Sequence, residues 1–300
     1  MEHDRPRASK MWEYINKTHL SREKLQVIEN FKSSSVNYKL SIWNPEVNGI
    51  RFLKVLVFYI CSTLLPKQWE KLVRIQNREV GNPLSIKYNK EVVCLDYLQA
   101  VLEIDFMENY FDFQNSKIIE IGAGYGRTCH AILSNYDISN FCIIDLKNSL
   151  ELSKRYLKVV LDETQYNKIT FIDIDSFEKV RNQHYDLCIN IDSFAEMEEN
   201  IVRFYFRFID RQSKYFYVKN PVGKYYDKSL DSHSEGKEVV NMAMETGILK
   251  KLINIHDNEE IKEQSLEFVK AYCPSNEWEC VGNECAKPWG FYWQAIYKRR

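Results

Sequence analysis

The chain has no charge excess of either sign: 41 Lys and Arg against 42 Asp and Glu leave a formal net charge of −1. That excludes a general field drawing it to nucleic acid or to an anionic membrane, so neither is expected as a partner. None of the eight cysteines forms a CxxC pair; they stand apart at 61, 94, 129, 142, 188, 273, 280 and 285, several inside apolar runs. The pattern argues against a disulfide framework and reads as reduced, mostly buried thiols in a cytoplasmic protein. Cys280 and Cys285 are the one close pair, with no further ligand group beside them. Long apolar runs are missing too. The most apolar stretch, Ile50–Leu65, carries Arg51 and Lys54 and falls short of the roughly 20 residues of a bilayer span, so we expect a buried helix and no membrane span. The opening MEHDRPRASK lacks the apolar segment of a signal peptide. There is no internal repeat and no low-complexity segment. What remains is ordinary for a globular chain: 300 residues, 45% hydrophobic and 28% charged, enough for a substantial core in one large domain or two modest ones.

The pattern divides the chain near residue 112. Before it, helices are predicted at Met11–Phe31, Ile50–Leu65, Lys67–Asn77 and Val92–Phe111, with Pro66 opening the third and Gly81-Asn82-Pro83 breaking the chain. Leu95, Leu98, Val101, Leu102 and Phe106 share one face of the last, and no strand alternation is evident. Residues 1–112 are therefore expected to form a helical N-terminal cap. After Phe113 short apolar runs alternate with helical segments, the mark of β-α-β units and a mostly parallel sheet. Strands are predicted at Lys117–Ile121, Phe141–Ile144, Ile169–Ile172, Leu187–Ile191, Tyr215–Val218, Trp278–Gly282 and Gly290–Tyr297. Helices are predicted at Gly126–Ser134, Ser149–Thr164, Ser193–Ile209, Lys237–Ile253 and Glu259–Tyr272. Residues 113–300 are thus expected to be an α/β, Rossmann-like domain.

The run Ile118-Ile119-Glu120-Ile121-Gly122-Ala123-Gly124-Tyr125-Gly126-Arg127 is a strand, a glycine turn and a helix start, where a ligand can lie directly on the backbone. Its spacing is GxGxG, and Arg127 occupies the place where a dinucleotide fold has its third glycine. Glu120 lies two residues before the first glycine, where an acid can accept from an ammonium. S-adenosylmethionine carries such a group beside its sulfonium and NAD does not. Asp145 ends the next strand, 23 residues after Gly122, placed to accept from both ribose hydroxyls. Asp173 or Asp175, at the end of the third strand, is a candidate for the exocyclic amine of adenine.

The set Glu120-x-Gly-x-Gly-x-Gly, Asp145 and the fourth-strand segment Tyr185-Asp186-Leu187-Cys188-Ile189-Asn190-Ile191-Asp192-Ser193-Phe194-Ala195-Glu196-Met197 resembles class I S-adenosylmethionine-dependent methyltransferases. More narrowly, the stretch from Asn190 to Met197 is similar to sugar O-methyltransferases of bacterial glycan and antibiotic-sugar pathways. The likeness covers roughly residues 115–300. It implies a seven-stranded sheet whose last strand is antiparallel, a donor held by Glu120, Gly122, Ala123, Gly124, Asp145, Asp173 or Asp175, and Asn190, and S-adenosylhomocysteine as product. It also implies an N-terminal lid over a sugar acceptor. No His/Asp set like that of the magnesium-dependent members can be placed, which leaves metal use open.

Methyl transfer is an in-line displacement, so alignment supplies much of the rate, and a base helps a hydroxyl attack. Asp192, at the fourth strand's end, is the first candidate. Glu196, four residues on, could share a helix face with it and raise one carboxyl's pKa, although the commoner use of such a pair is an N-cap and a first-turn acid of the helix Ser193–Ile209. His233, in the polar Pro221–Gly236 loop, is the third candidate; His184 reads as a surface residue at the far edge. Tyr225, Tyr226, Trp289, Tyr292 and Trp293 could stack on a sugar, with core packing the commoner use of such rings. The apolar N-terminal helices could support a homo-oligomer.

Overall fold

The computed structural model describes residues 8–18, 42–225 and 237–300. His233, Tyr226 and the expected first helix beyond Thr18 lie outside the described residues. The chain divides into two compact units, one ending at Tyr59 and the other running Ile60–Arg300. In the first lie α1 (Lys10–Thr18), with Ile15 buried, and most of α2 (Pro45–Thr63). The Arg51 guanidinium stacks over the Trp43 ring at 4.6 Å. The expectation of a buried helix holds only for part of this stretch: Val57, Ile60 and Cys61 are buried, while Ile50, Val55, Phe58 and Leu65 are exposed. Among the described residues no single helix is long and apolar enough to cross a membrane.

The second unit opens with α3 (Pro66–Arg74), β1 (Ser85–Tyr88), β2 (Glu91–Cys94) and α4 (Leu95–Glu108). The hairpin β1–β2 corrects the all-helical expectation for this region. Its turn places Asn89 and Lys90 both at positive φ, 48° and 72°, as a primed two-residue turn demands. The first three residues of the last predicted helix, Val92, Val93 and Cys94, are therefore strand.

Beyond Phe113 the chain runs β3 (Lys117–Ile121), α5 (Arg127–Leu133), β4 (Asn140–Asp145), α6 (Lys147–Val160), α7 (Glu163–Tyr166), β5 (Ile169–Asp173), β6 (Tyr185–Ile191), α8 (Glu199–Gln212) and β7 (Ser213–Pro221). Then follow α9 (Lys237–Glu245), α10 (Asn258–Ala271), β8 (Trp278–Cys285) and β9 (Tyr292–Arg299). Ile118, Ile119, Ile121, Phe141, Ile143 and Ile144 are buried because helices cover both faces of these strands. The predicted α6 stops at Val160, and Asp162 starts α7 by accepting from Gln165 N at 2.8 Å. The predicted helix to Ile253 ends at Glu245, ahead of Gly247 at positive φ.

The seven strands are ordered β5-β4-β3-β6-β7-β9-β8. β3 to β7 are parallel, and β9 inserts antiparallel between β7 and β8. This is a Rossmann-like α/β sheet with the single reversed strand that the sequence resemblance implies. The chain lays β4 and β5 on one side of β3, then crosses to lay β6 and β7 on the other. The C-terminal ends of β3 and β6 thus flank a topological switch point, where open α/β sheets bind ligands.

Candidate functional site

At the end of β3 the chain turns sharply at Gly122 (φ 74°) and again at Gly124 (φ 58°). The two glycines serve different needs. A Cβ on Gly122 would stand 2.2 Å from Ser193 Oγ, so this glycine lets the turn after β6 close against the loop. A Cβ on Gly124 would meet nothing within 4 Å; the loop is open there. Gly124 N donates to Asp145 Oδ2 at 2.8 Å and Leu146 N to Oδ1 at 2.7 Å, which fixes the carboxylate at the end of β4. Each oxygen keeps a lone pair for a further donor.

Asp173 pairs with Asp145 in the β4–β5 register. Its Oδ1 accepts from Asp175 N at 3.0 Å and starts a 3₁₀ helix, Ile174–Lys179. Asp173 stands at the aligned strand edge, and Asp175 is exposed one turn further on. The residues following the two aligned acids, Leu146 and Ile174, are apolar yet 58% and 41% exposed. Each carboxylate is thus followed by an exposed apolar side chain, a feature that the sequence pattern does not announce.

Glu120, Gly122, Ala123, Gly124, Asp192 and Glu196 line one cavity of about 250 Å³. Glu120 is only 2% exposed. Burial pushes its carboxyl up to about 7, opposed by a hydrogen bond with Thr128 and the charge of Arg127. Its Oε2 has no hydrogen-bond partner.

Asp192 follows β6 at φ 66°, ψ −41°, a strained conformation for a residue with a side chain. Its amide donates to Lys219 O at 2.9 Å, and its carbonyl accepts from Ala195 N at 3.0 Å. The expected helix Ser193–Ile209 is corrected: a 3₁₀ turn, Ser193–Ala195, comes first and α8 begins only at Glu199. The carboxylates of Asp192 and Glu196 are therefore not stacked on one helix. Nor does Asp192 cap with its side chain. Both pKa values are raised, chiefly by burial; Tyr292 and the charge of Lys219 oppose the rise in Asp192, while the charge of Asp192 adds to that in Glu196.

Asn190, expected at the donor site, is 0% exposed. Its amide donates to Ile121 O at 3.0 Å and Ser193 Oγ at 2.6 Å, and its oxygen accepts from Asn220 Nδ2 at 3.0 Å. These bonds brace the turn beneath Asp192 and leave Asn190 out of the cavity, because its end of β6 is enclosed by β3 and β7.

A second cavity, of about 600 Å³, lies beyond the same two carboxylates. Asp192 and Glu196 form its shared wall with the first, and Lys224, Tyr225, Met242 and Tyr292 line the rest. Trp289 and Trp293 are engaged elsewhere, donating to Gln99 at 3.0 Å and Asn283 at 3.0 Å. His184 is exposed ahead of β6, at the far edge of the sheet. Among the described residues no group of three or more His, Cys, Asp or Glu converges as a metal would require.

The residues missed from sequence form a buried ion cluster. Glu103 of α4 accepts from Lys219 Nζ at 2.7 Å and from Arg127 at 2.7 Å. Lys219 also donates to Gln99 at 3.1 Å, and Arg127 to Asp96 O at 3.0 Å. One helix thereby ties the start of α5 to the strand under Asp192. The available signal was polar Glu103 amid the apolar run of α4.

No family model and no curated protein matches the sequence. Among solved structures the chain is similar to the methyltransferase domain of bacterial CtHen1, at 18% identity over 67% of this chain and 98% of that one, TM-score 0.43. It is also similar to a SAM dependent methyltransferase from Aquifex aeolicus (8% identity, 66% and 89% covered, TM-score 0.41). A third is the mitomycin 7-O-methyltransferase MmcR (10% identity, 90% and 70% covered, TM-score 0.43). At these identities the likeness concerns fold alone.

Proposed function

We propose that the chain is an S-adenosylmethionine-dependent O-methyltransferase whose acceptor is a sugar hydroxyl, free, nucleotide-linked or within a glycan. The observation that carries this reading is the pair of cavities meeting at Asp192 and Glu196, one of them floored by a carboxylate-flanked glycine loop. The donor fits the groups present: an unpartnered buried carboxylate oxygen for an ammonium, the fixed Asp145 for a ribose, and Asp173 with exposed apolar Leu146 and Ile174 for a base. When bound, S-adenosylmethionine supplies an electrophilic methyl group with a good leaving group. The protein's part is to hold the nucleophile in line and take its proton. Asp192 sits on the wall between the cavities, and its raised pKa brings a carboxylate nearer to a useful base; Glu196 is placed to assist. Tyr225 and Tyr292 offer rings for a sugar face. Met242, Met244 and Val240 in the same lining favour, as a second reading, an acceptor with an apolar part such as a phenol.

Calorimetry tests the donor: S-adenosylmethionine and S-adenosylhomocysteine should bind in the micromolar range and NAD should not. Binding of NAD alone would overturn the reading. Transfer of labelled methyl to a panel of neutral sugars, nucleotide sugars and phenols then tests the acceptor, and labelling of phenols alone sinks the sugar assignment.

A further inference from the structure

Around the smaller cavity the charges do not pair off. Two cations, Arg127 and Lys219, both bind Glu103, each at 2.7 Å. Glu120, equally enclosed, is left with Thr128 as its hydrogen-bond donor and one oxygen without a partner. The titratable groups facing it are Arg127 and Cys129 from α5, Glu103 from α4, Asp145 from β4 and Cys188 from β6. Asp192 and Glu196 line the same cavity. Arg127 is the one cation of this set and is already held by Glu103; burial pushes both thiols far up, so they stay neutral. A buried carboxylate with an unsatisfied oxygen is costly, and its acid form far less so. In the absence of ligand the balance favours a proton on Glu120, in keeping with a pKa pushed up to about 7.

Resting on the donor reading above, we propose that this cavity takes its amino-acid ligand in exchange for a proton held by Glu120. The O–H bond of the acid breaks, the proton passes to solvent, and the ligand's ammonium donates to the freed oxygen. Nothing else changes covalently. Glu120 then admits a positively charged head group and couples its binding to pH.

The test uses the full chain and calorimetry in two buffers with different heats of ionisation, phosphate and imidazole. Near pH 6.5 a free α-amino group is already protonated, so S-adenosylhomocysteine should release about three-quarters of a proton on binding. Its affinity should tighten about fifteenfold from pH 5.5 to 7, as the cost of removing the Glu120 proton falls. 5′-Methylthioadenosine, the nucleoside without the amino acid, should bind with no proton release. Glu120→Gln should abolish the release even where it weakens binding. Tight binding with identical heats in both buffers overturns the proposal while leaving the donor reading intact, as does an unchanged proton count in Glu120→Gln. Failure of both ligands to bind at any pH overturns the donor reading itself.

Discussion

Gly122 and Gly124 are two residues apart in the same turn, yet a methyl group should act mainly on stability at the first and mainly on binding at the second. At Gly122 the added carbon collides with Ser193 Oγ, on a backbone already at positive φ. Gly122→Ala is expected to cost roughly 2–4 kcal/mol of stability, measured by urea unfolding. Gly124→Ala meets open space and should cost only about 1 kcal/mol, from its φ; there the loss should fall on donor affinity, because the methyl occupies ligand space. Equal effects of the two on unfolding would contradict this division. Asp192→Asn keeps shape and removes basicity, so kcat should fall by about 10²–10⁴ while donor affinity stays within a factor of about two; unchanged turnover removes Asp192 as base. The proposed roles of Glu120 and Asp145 rest on fixed offsets from the glycines, which a sequence displays. The enclosure of Asn190 is not legible there, since its partners Ile121 and Asn220 are 69 and 30 residues away.

Elements were legible where one period dominates. The apolar runs of β3 and β4 needed nothing beyond themselves to be read as buried parallel strands, and that of β5 to be read as a parallel strand, although at the sheet edge only its Ile172 is buried. The hairpin β1–β2 was hidden because its turn uses Asn89-Lys90 in place of the familiar Asn-Gly. The break between Ser193–Ala195 and α8 was hidden because an acid followed by Ser reads as a helix start, whereas Asp192 is held at positive φ by its bond to Lys219 O. Helix α4 was legible as a helix but not as part of the site, because the partners of Glu103 lie 24 and 116 residues further along. Glu103→Gln leaves Arg127 and Lys219 buried without a carboxylate, and is expected to destabilise the protein by about 3–5 kcal/mol. Replacing both Glu103 and Lys219 by Leu should lose less than Glu103→Gln alone, since fewer charges stay unpaired. A greater loss in the double variant would mean that the cluster matters by shape instead of by charge.

For the whole molecule, the alternation of strands and helices was enough to foresee a mostly parallel sheet, whereas the switch point beside β3 follows only from the strand order. What no pattern gives is how buried titratable groups in separate places add up. Two of them oppose each other. Glu120 is pushed up to about 7 from 4.5, so the unfolded chain releases this proton first and stability falls as pH rises between those values. His130 is 0% exposed, with Nδ1 bonded to the Tyr97 hydroxyl at 2.6 Å and Nε2 without a partner. Burial, then the charge of Arg78, lowers its pKa from 6.5 to about 4. The folded protein holds it neutral while the unfolded chain takes a proton, so this contribution is complete above pH 6.5 and is lost as pH falls toward 4. Over the shared window the two slopes have opposite sign and similar size, about 1.4 kcal/mol per pH unit when fully developed. Groups common to wild type and variant cancel in a difference between their unfolding curves. Glu120→Gln should therefore gain stability relative to wild type as pH rises through this window, and His130→Leu should lose it. Urea unfolding of the three proteins at several pH values across the window decides the matter: a Glu120→Gln curve parallel to wild type would mean that Glu120 is already ionised in the fold.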